Sequence, residues 1–313
     1  MPMRFSVLAL ASALALSGCN LLFGGGGGGG GGGGVTFTQG FTFVRKDDRN
    51  VYLADDADSQ AIETRTQSAN VRTPSFSRDG ANIVFVRGGT SDAELAVVST
   101  AAGGTVRTVL ASTAMMKNFK TPVFSPDGTR IAFSFDDGTT STRIGLINVD
   151  GTGVQTLANG GLAQASPGFS ADGSELIVAA GNPGLGYTQI ERINLATNQV
   201  TSVTNTLGNE ALGIANRLVV SPDGTKAAFD AQVSSGVVRL FVIDLSTRAV
   251  TALYAGEPGT NDTFPCWMSN TQVAFSSDTG GNDNVYRVNL PSSMSATLLL
   301  PKAIEPWYGT VSQ

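Results

Sequence analysis

Four aspartates, Asp79, Asp127, Asp172 and Asp223, return along the chain at steps of 48, 45 and 51 residues, each followed by a glycine (Gly80, Gly128, Gly173 and Gly224). Carboxylates carry most of the chemistry open to this sequence, because it contains no histidine. That absence removes Ser-His-Asp and Cys-His triads, histidine metal sites and imidazole proton transfer. Carboxylates could still act as an acid–base pair, as in glycoside hydrolysis, or ligate calcium through oxygen. Recurrence argues against both for these four, since a catalytic group breaks the symmetry of a repeat whereas a turn residue follows it. Each stands in a phrase such as Ser125-Pro126-Asp127-Gly128 or Ser221-Pro222-Asp223-Gly224. Proline presets φ, aspartate bonds the neighbouring backbone and glycine accepts positive φ, so the phrase specifies a reverse turn. Asp47-Asp48, Asp55-Asp56-Ala57-Asp58 and Asp136-Asp137 are denser but lack calcium-loop spacing, and read as solvated turns. No Gly-x-Ser-x-Gly elbow occurs. No catalytic set, cofactor or metal site is expected.

The turns lie at the start of five equivalent segments that open Pro74-Ser75-Phe76, Pro122-Val123-Phe124, Pro167-Gly168-Phe169, Leu218-Val219-Val220 and Pro265-Cys266-Trp267. A spacing of 45 to 51 residues is that of stacked supersecondary units, and four-stranded propeller blades have about this length. Within one unit, Val123-Phe124, Ile131-Ala132-Phe133, Ile144 to Val149 and Val154 to Leu157 read as four strands joined by turns at Asp127-Gly128, Asp136-Asp137-Gly138 and Asp150-Gly151. No helical spacing of apolar residues is sustained after residue 35. The N-terminal piece supplies three strands, Phe41–Val44, Asn50–Leu53 and Ala61–Thr64, with no opening strand ahead of them. Pro306-Trp307-Tyr308 repeats the opening and then lacks the rest. The expectation is an all-β, six-bladed propeller over 35–313. Its blades are four-stranded and antiparallel, and the C-terminal strand pairs with the N-terminal blade to remove exposed edges.

The repeat resembles that of the TolB-like, WD-repeat-like β-propellers. The resemblance rests on the Ser-Pro-Asp-Gly turns at 125–128 and 221–224, their variants at 77–80 and 170–173, and Asn148-Val149-Asp150-Gly151-Thr152-Gly153. It covers the chain from about residue 40 and implies the propeller scaffold of a cell-envelope protein. It leaves the activity open, because unrelated functions share this scaffold. The chain has no room for the α/β domain that precedes the propeller in TolB.

The first 34 residues point to an address. Arg4 precedes an apolar run, Phe5 to Leu16, too short to span a bilayer, that ends in Leu16-Ser17-Gly18-Cys19. This tetrapeptide looks like a bacterial lipobox, which implies removal of 1–18 as a lipoprotein signal peptide and acylation of Cys19, including a palmitate. Asn20 is not the aspartate that retains lipoproteins in the inner membrane, so the outer membrane is implied, with the body facing the periplasm or the cell surface. Gly24 to Gly34 is an unbroken glycine run. As a coil it has an r.m.s. span of roughly 18 Å, and with Cys19 it forms a tether over 19–34.

Loss of Arg4 with the signal takes the formal charge from −5 to −6, which argues against nucleic acid as a partner. If Cys19 carries lipid, Cys266 has no partner in the chain and reads as a small buried hydrophobe. Phe76, Phe124, Phe169, Trp267 and Tyr308 read as wedges between neighbouring sheets. Alternatively, Trp267, Trp307 and Tyr308 reach a face and stack on a peptide or sugar. The functional expectation is a monomeric, lipid-anchored, non-enzymatic scaffold for a protein or peptide partner. Its alternatives are a carbohydrate-active propeller using a carboxylate pair and a purely structural envelope protein.

Overall fold

The computed structural model describes residues 37–56, 58–67, 70–139, 141–183, 186–208, 210–234, 236–254, 256–291 and 295–310. The expected signal segment 1–18, Cys19 and the glycine run lie outside the described residues.

Among the described residues the strands form six four-stranded antiparallel sheets. Blade 1 contains β1 (Gln39–Val44), β2 (Val51–Asp55) and β3 (Asp58–Thr64). Blade 2 follows with β4 (Arg72–Phe76), β5 (Asn82–Arg87), β6 (Glu94–Ser99) and β7 (Arg107–Ala111). Blade 3 has β8 (Lys117–Phe124), β9 (Arg130–Asp136), β10 (Thr142–Asn148) and β11 (Gln155–Thr156). Blade 4 has β12 (Ala163–Phe169), β13 (Glu175–Gly181), β14 (Gln189–Asn194) and β15 (Val200–Thr204). Blade 5 has β16 (Gly213–Val220), β17 (Lys226–Gln232), β18 (Val238–Asp244) and β19 (Val250–Tyr254). Blade 6 has β20 (Asp262–Ser269), β21 (Gln272–Ser277), β22 (Asn284–Asn289) and β23 (Thr297–Pro301). The last strand, β24 (Ile304–Thr310), returns to blade 1 and pairs with β1, placing Gly40 opposite Gly309, Phe41 opposite Tyr308 and Thr42 opposite Trp307. The ring therefore closes with both ends of the propeller in one sheet.

The core consists of six apolar clusters, one between each pair of neighbouring blades. Side chains alternate along a strand, and here both faces are covered, so the second strands read as unbroken apolar triplets. In Ile83-Val84-Phe85 the outer two residues pack toward blade 1 and Val84 toward blade 3. Ile131-Ala132-Phe133, Ala227-Ala228-Phe229 and Val273-Ala274-Phe275 divide in the same way, with the large ring facing the preceding blade and alanine facing the next. Large against small lets wedge-shaped sheets stack around an axis. Phe85, Phe133, Phe229 and Phe275 are fully buried, each stabilising the fold by about 1.5–3 kcal/mol.

Two local features depart from the sequence reading. The inner strands begin earlier than their prolines suggest: β8 starts at Lys117, five residues before Pro122. Thr73, Thr121, Ser166, Phe264 and Glu305, each just before a proline, have φ of 48°, 45°, 49°, 52° and 54°. A bulge at this level shifts the register, so the residues ahead of the proline rejoin the ladder despite its missing N–H. The fourth strand of blade 3, expected over Val154 to Leu157, shortens to β11. A 3₁₀ turn at Thr279–Gly281 is the helical element among the described residues.

Candidate functional site

The turn aspartates fall on the rim at one end of the wheel and cap their own turns. Asp127 Oδ1 accepts hydrogen bonds from Ser125 Oγ (2.5 Å), Thr129 N (3.0 Å) and Thr129 Oγ1 (2.8 Å), while Ser125 Oγ accepts one from Arg130 N (2.9 Å). Ser77, Ser170 and Ser221 donate to Asp79, Asp172 and Asp223 in the same way. The hydroxyl and amide donors hold the Asp127 and Asp172 carboxyls down at about 2, and Asp223 is lowered likewise. Gly128 occupies the left-handed region (φ 70°) that its turn requires. Neighbouring turns also touch, as where Asn270 Oδ1 accepts from Asp223 N (3.1 Å).

Inside this rim the inner-strand ends enclose a funnel of about 290 Å³. Its wall carries the third residue of every opening: Phe76, Phe124, Phe169, Val220, Trp267 and Tyr308. Each also packs into the cluster it shares with the preceding blade, Val220 and Tyr308 partly buried there, so wedge and wall are one set of residues. Trp267 is 6% exposed and donates Nε1–H to Val219 O (2.9 Å), which places most of its ring between blades 5 and 6 rather than in the funnel. Tyr308 stacks edge-on against Phe41 and donates its hydroxyl to Asp56 (2.6 Å). The Arg78 guanidinium reaches from the turn of blade 2 to Ala171 O of blade 4 (3.2 Å), crossing part of the mouth.

Trp307, one residue before the repeated position, closes the funnel. Its half-buried ring packs against three separate inter-blade clusters, which only an axial position allows. On its inner side the Arg217 guanidinium lies 5.3 Å from the Trp307 ring centre and 5.3 Å from that of Phe264. Arg217 is 2% exposed and donates to Pro306 O (2.7 Å). Burial lowers its pKa, while Glu305 and Asp230 favour its charge. Arg217 stands where the other blades carry the bulge residue before proline, and Leu218 replaces that proline. Asp230, fully buried, fixes the plug by accepting from Asn216 N (2.8 Å), Asn216 Nδ2 (3.0 Å), Arg217 N (2.9 Å) and Phe264 N (2.8 Å). Desolvation nevertheless raises the Asp230 carboxyl.

Beyond the plug the channel widens into a second mouth of about 390 Å³. The acidic side chain in its wall is Glu305, whose oxygens are taken by Arg49 Nη2 (3.1 Å) and the Thr73 N–H. Among the described residues the linings of the funnel and this mouth include one carboxylate, Glu305, where the carboxylate-pair alternative expects two converging acids. Asp55 and Asp56 of the acidic loop accept from Thr38 N (2.8 Å) and from Tyr308 Oη, and no cluster of described residues could hold a metal ion. Sequence reasoning missed Arg217, Asp230 and Phe264; the one signal was the break in the opening phrase at Arg217-Leu218.

The architecture is that of a six-bladed β-propeller with a plugged axial channel. The TolB beta propeller domain matches residues 35–216, and the chain belongs to that family. Among solved structures it is similar to TolB from Acinetobacter baumannii (TM-score 0.68, 18% identity, 86% of this chain and 65% of that one). It is also similar to a protein from Agrobacterium tumefaciens assigned as TolB (TM-score 0.62, 16% identity, 84% and 88%). A third similar structure is an oligogalacturonate lyase in complex with manganese (TM-score 0.54, 19% identity, 80% and 73%). At these identities the likeness is one of fold. The chain spans 65% of the length of the A. baumannii protein. No curated protein matches it.

Proposed function

We propose that the protein is a lipid-anchored propeller of the bacterial envelope, held at the outer membrane through Cys19, that captures a protein or peptide segment in the turn-end funnel. The funnel carries this reading: six repeated side chains, five of them aromatic, surround a cavity of about 290 Å³ floored by Trp307. Apolar walls with few polar groups suit insertion of an apolar side chain from a partner, because burial there is favourable and few protein polar groups lose water. Family membership and the lipobox-like Leu16-Ser17-Gly18-Cys19 support an exported, anchored setting.

Two measurements test the reading. Replacement of the rim residue Ala171 by arginine blocks the mouth, so a partner retained from detergent-solubilised envelopes by the native chain is lost by Ala171→Arg. Equal recovery by both chains refutes the funnel as the site. Labelled palmitate enters the native chain and not Cys19→Ser; incorporation into both removes the anchor from the account.

A further inference from the structure

The mouth beyond the plug has a different chemistry from the funnel. Its volume of about 390 Å³ falls in the roughly 300–1,000 Å³ range of small-molecule sites. Its wall draws on every blade, largely at equivalent repeat positions that carry different residue types, among them Arg72, Asn118, Lys120, Asn216 and Phe264. A surface that serves only to close a symmetric wheel has no need of such a set.

The cations around the mouth differ in what holds them. Arg72 donates to the carbonyl oxygens of Gly88 (2.6 Å), Gly89 (3.3 Å) and Phe119 (3.4 Å), neutral acceptors that orient the guanidinium without cancelling its charge. Glu305 is already engaged by Arg49 and by the Thr73 N–H. Lys120 Nζ lies 3.6 Å from Asp136, whose carboxylate also accepts from Asn118 Nδ2 (2.7 Å). With Arg217 behind Phe264, four cations stand against four carboxylates, Glu305, Asp136, Asp230 and the Asp92 that acts on Arg72 from behind the Gly88-Gly89 loop, so the charges balance while the direct hydrogen bonds of Arg72 go to neutral carbonyls. Asn118 and Asn216 have committed their amide nitrogens to Asp136 and Asp230, which leaves their amide oxygens as acceptors. Phe264 adds an apolar ring surface.

We infer that this mouth binds a small acidic sugar. Its carboxylate lies toward Arg72 and Lys120, its hydroxyls donate to the oxygens of Asn118 and Asn216, and its C–H face rests on Phe264. Cations alone would suit any anion. Acceptors and an aromatic surface beside them suit a polyhydroxylated ring that carries one carboxylate. The site lies across the plug from the partner funnel and is independent of the reading of that funnel.

Calorimetric titration of the full chain with D-glucuronate, D-glucose and acetate tests the assignment. D-Glucuronate binds with a Kd below about 1 mM, and glucose and acetate, each lacking half of the complementary chemistry, bind at least about tenfold more weakly. Lys120→Gln, at a half-exposed position, weakens D-glucuronate about tenfold. Ala215→Phe, at an exposed wall residue, fills the mouth and abolishes binding, with retained circular dichroism showing that the variant folds. Absence of binding by the native chain overturns the proposal, as does equal binding of glucose or acetate, or binding unchanged in Lys120→Gln.

Discussion

Replacing Trp307 with alanine removes a side chain that, alone among the described residues, touches three of the six inter-blade clusters. Truncating a buried tryptophan costs about 3–5 kcal/mol. Trp307 is only half buried because one side faces the funnel, so the packing loss belongs at the lower end, about 3 kcal/mol. The ring also lies over the guanidinium of Arg217, 5.3 Å away and 2% exposed. A desolvated cation–π contact contributes about 2 kcal/mol, part of which Phe264 retains on the other side. A double-mutant cycle separates the two effects. Trp307→Ala, Arg217→Met and the double variant are unfolded in urea and followed by circular dichroism, with a coupling energy of about 1–2 kcal/mol expected. Trp307→Phe, which keeps a ring over the guanidinium, recovers most of the coupling. A loss below about 1 kcal/mol for Trp307→Ala, together with coupling indistinguishable from zero, refutes the axial plug.

Gly309→Ala places a Cβ 2.5 Å from Phe76 Cδ2 at the ring seam. Overpacking of this kind costs about 1–3 kcal/mol, read as a lower thermal midpoint; an unchanged midpoint means that the seam is loose. The pKa values of Asp127 and Asp172, about 2 in the folded protein, lie below the unfolded carboxylate value. Their contribution is therefore complete above about pH 4 and is lost as pH falls from there through about 2. Changing both to asparagine flattens the acid limb of the stability profile, and an unaltered limb removes the turns as its source. Burial pushes the Cys266 thiol up to about 12. An aromatic disulfide reagent accordingly leaves it unmodified at neutral pH until urea unfolds the chain; reaction in the folded state contradicts its burial.

The blades were legible because their determinants are local and repeated. Ser-Pro-Asp-Gly marks a turn through intrinsic dihedral preferences, and triplets such as Ile131-Ala132-Phe133 mark a strand covered on both faces. Closure was legible from the missing first strand at one end and the solitary Pro306-Trp307-Tyr308 at the other. The early starts of β8, β12 and β20 were hidden, since a proline reads as a strand boundary unless a left-handed residue ahead of it restores the register. The plug was hidden for a different reason. Arg217 and Asp230 look like ordinary surface charges in the sequence, and only the convergence of inner strands from blades 5, 6 and 1 buries them. Trp267 and Trp307 were grouped as candidate ligand contacts by residue type, yet the alternation of one strand position separates an inter-blade wedge from an axial floor.

That separation shows how this wheel accommodates function without losing its symmetry. Residues that point between blades recur because every interface has the same wedge to fill, and altering one disturbs a core. Residues one position away (Ser75, Val123, Gly168, Val219, Cys266 and Trp307) differ from blade to blade, and in blade 1 the side chain is large enough to reach the axis. Blade 5 uses this freedom in placing Arg217 where other blades hold a residue before proline, and blade 1 uses it in placing Trp307 opposite. The pair divides one channel into an apolar funnel beside the turns and a polar mouth at the other end. Two environments so different in chemistry can then lie within one repeated scaffold, and each can change while the blades that carry it remain the same.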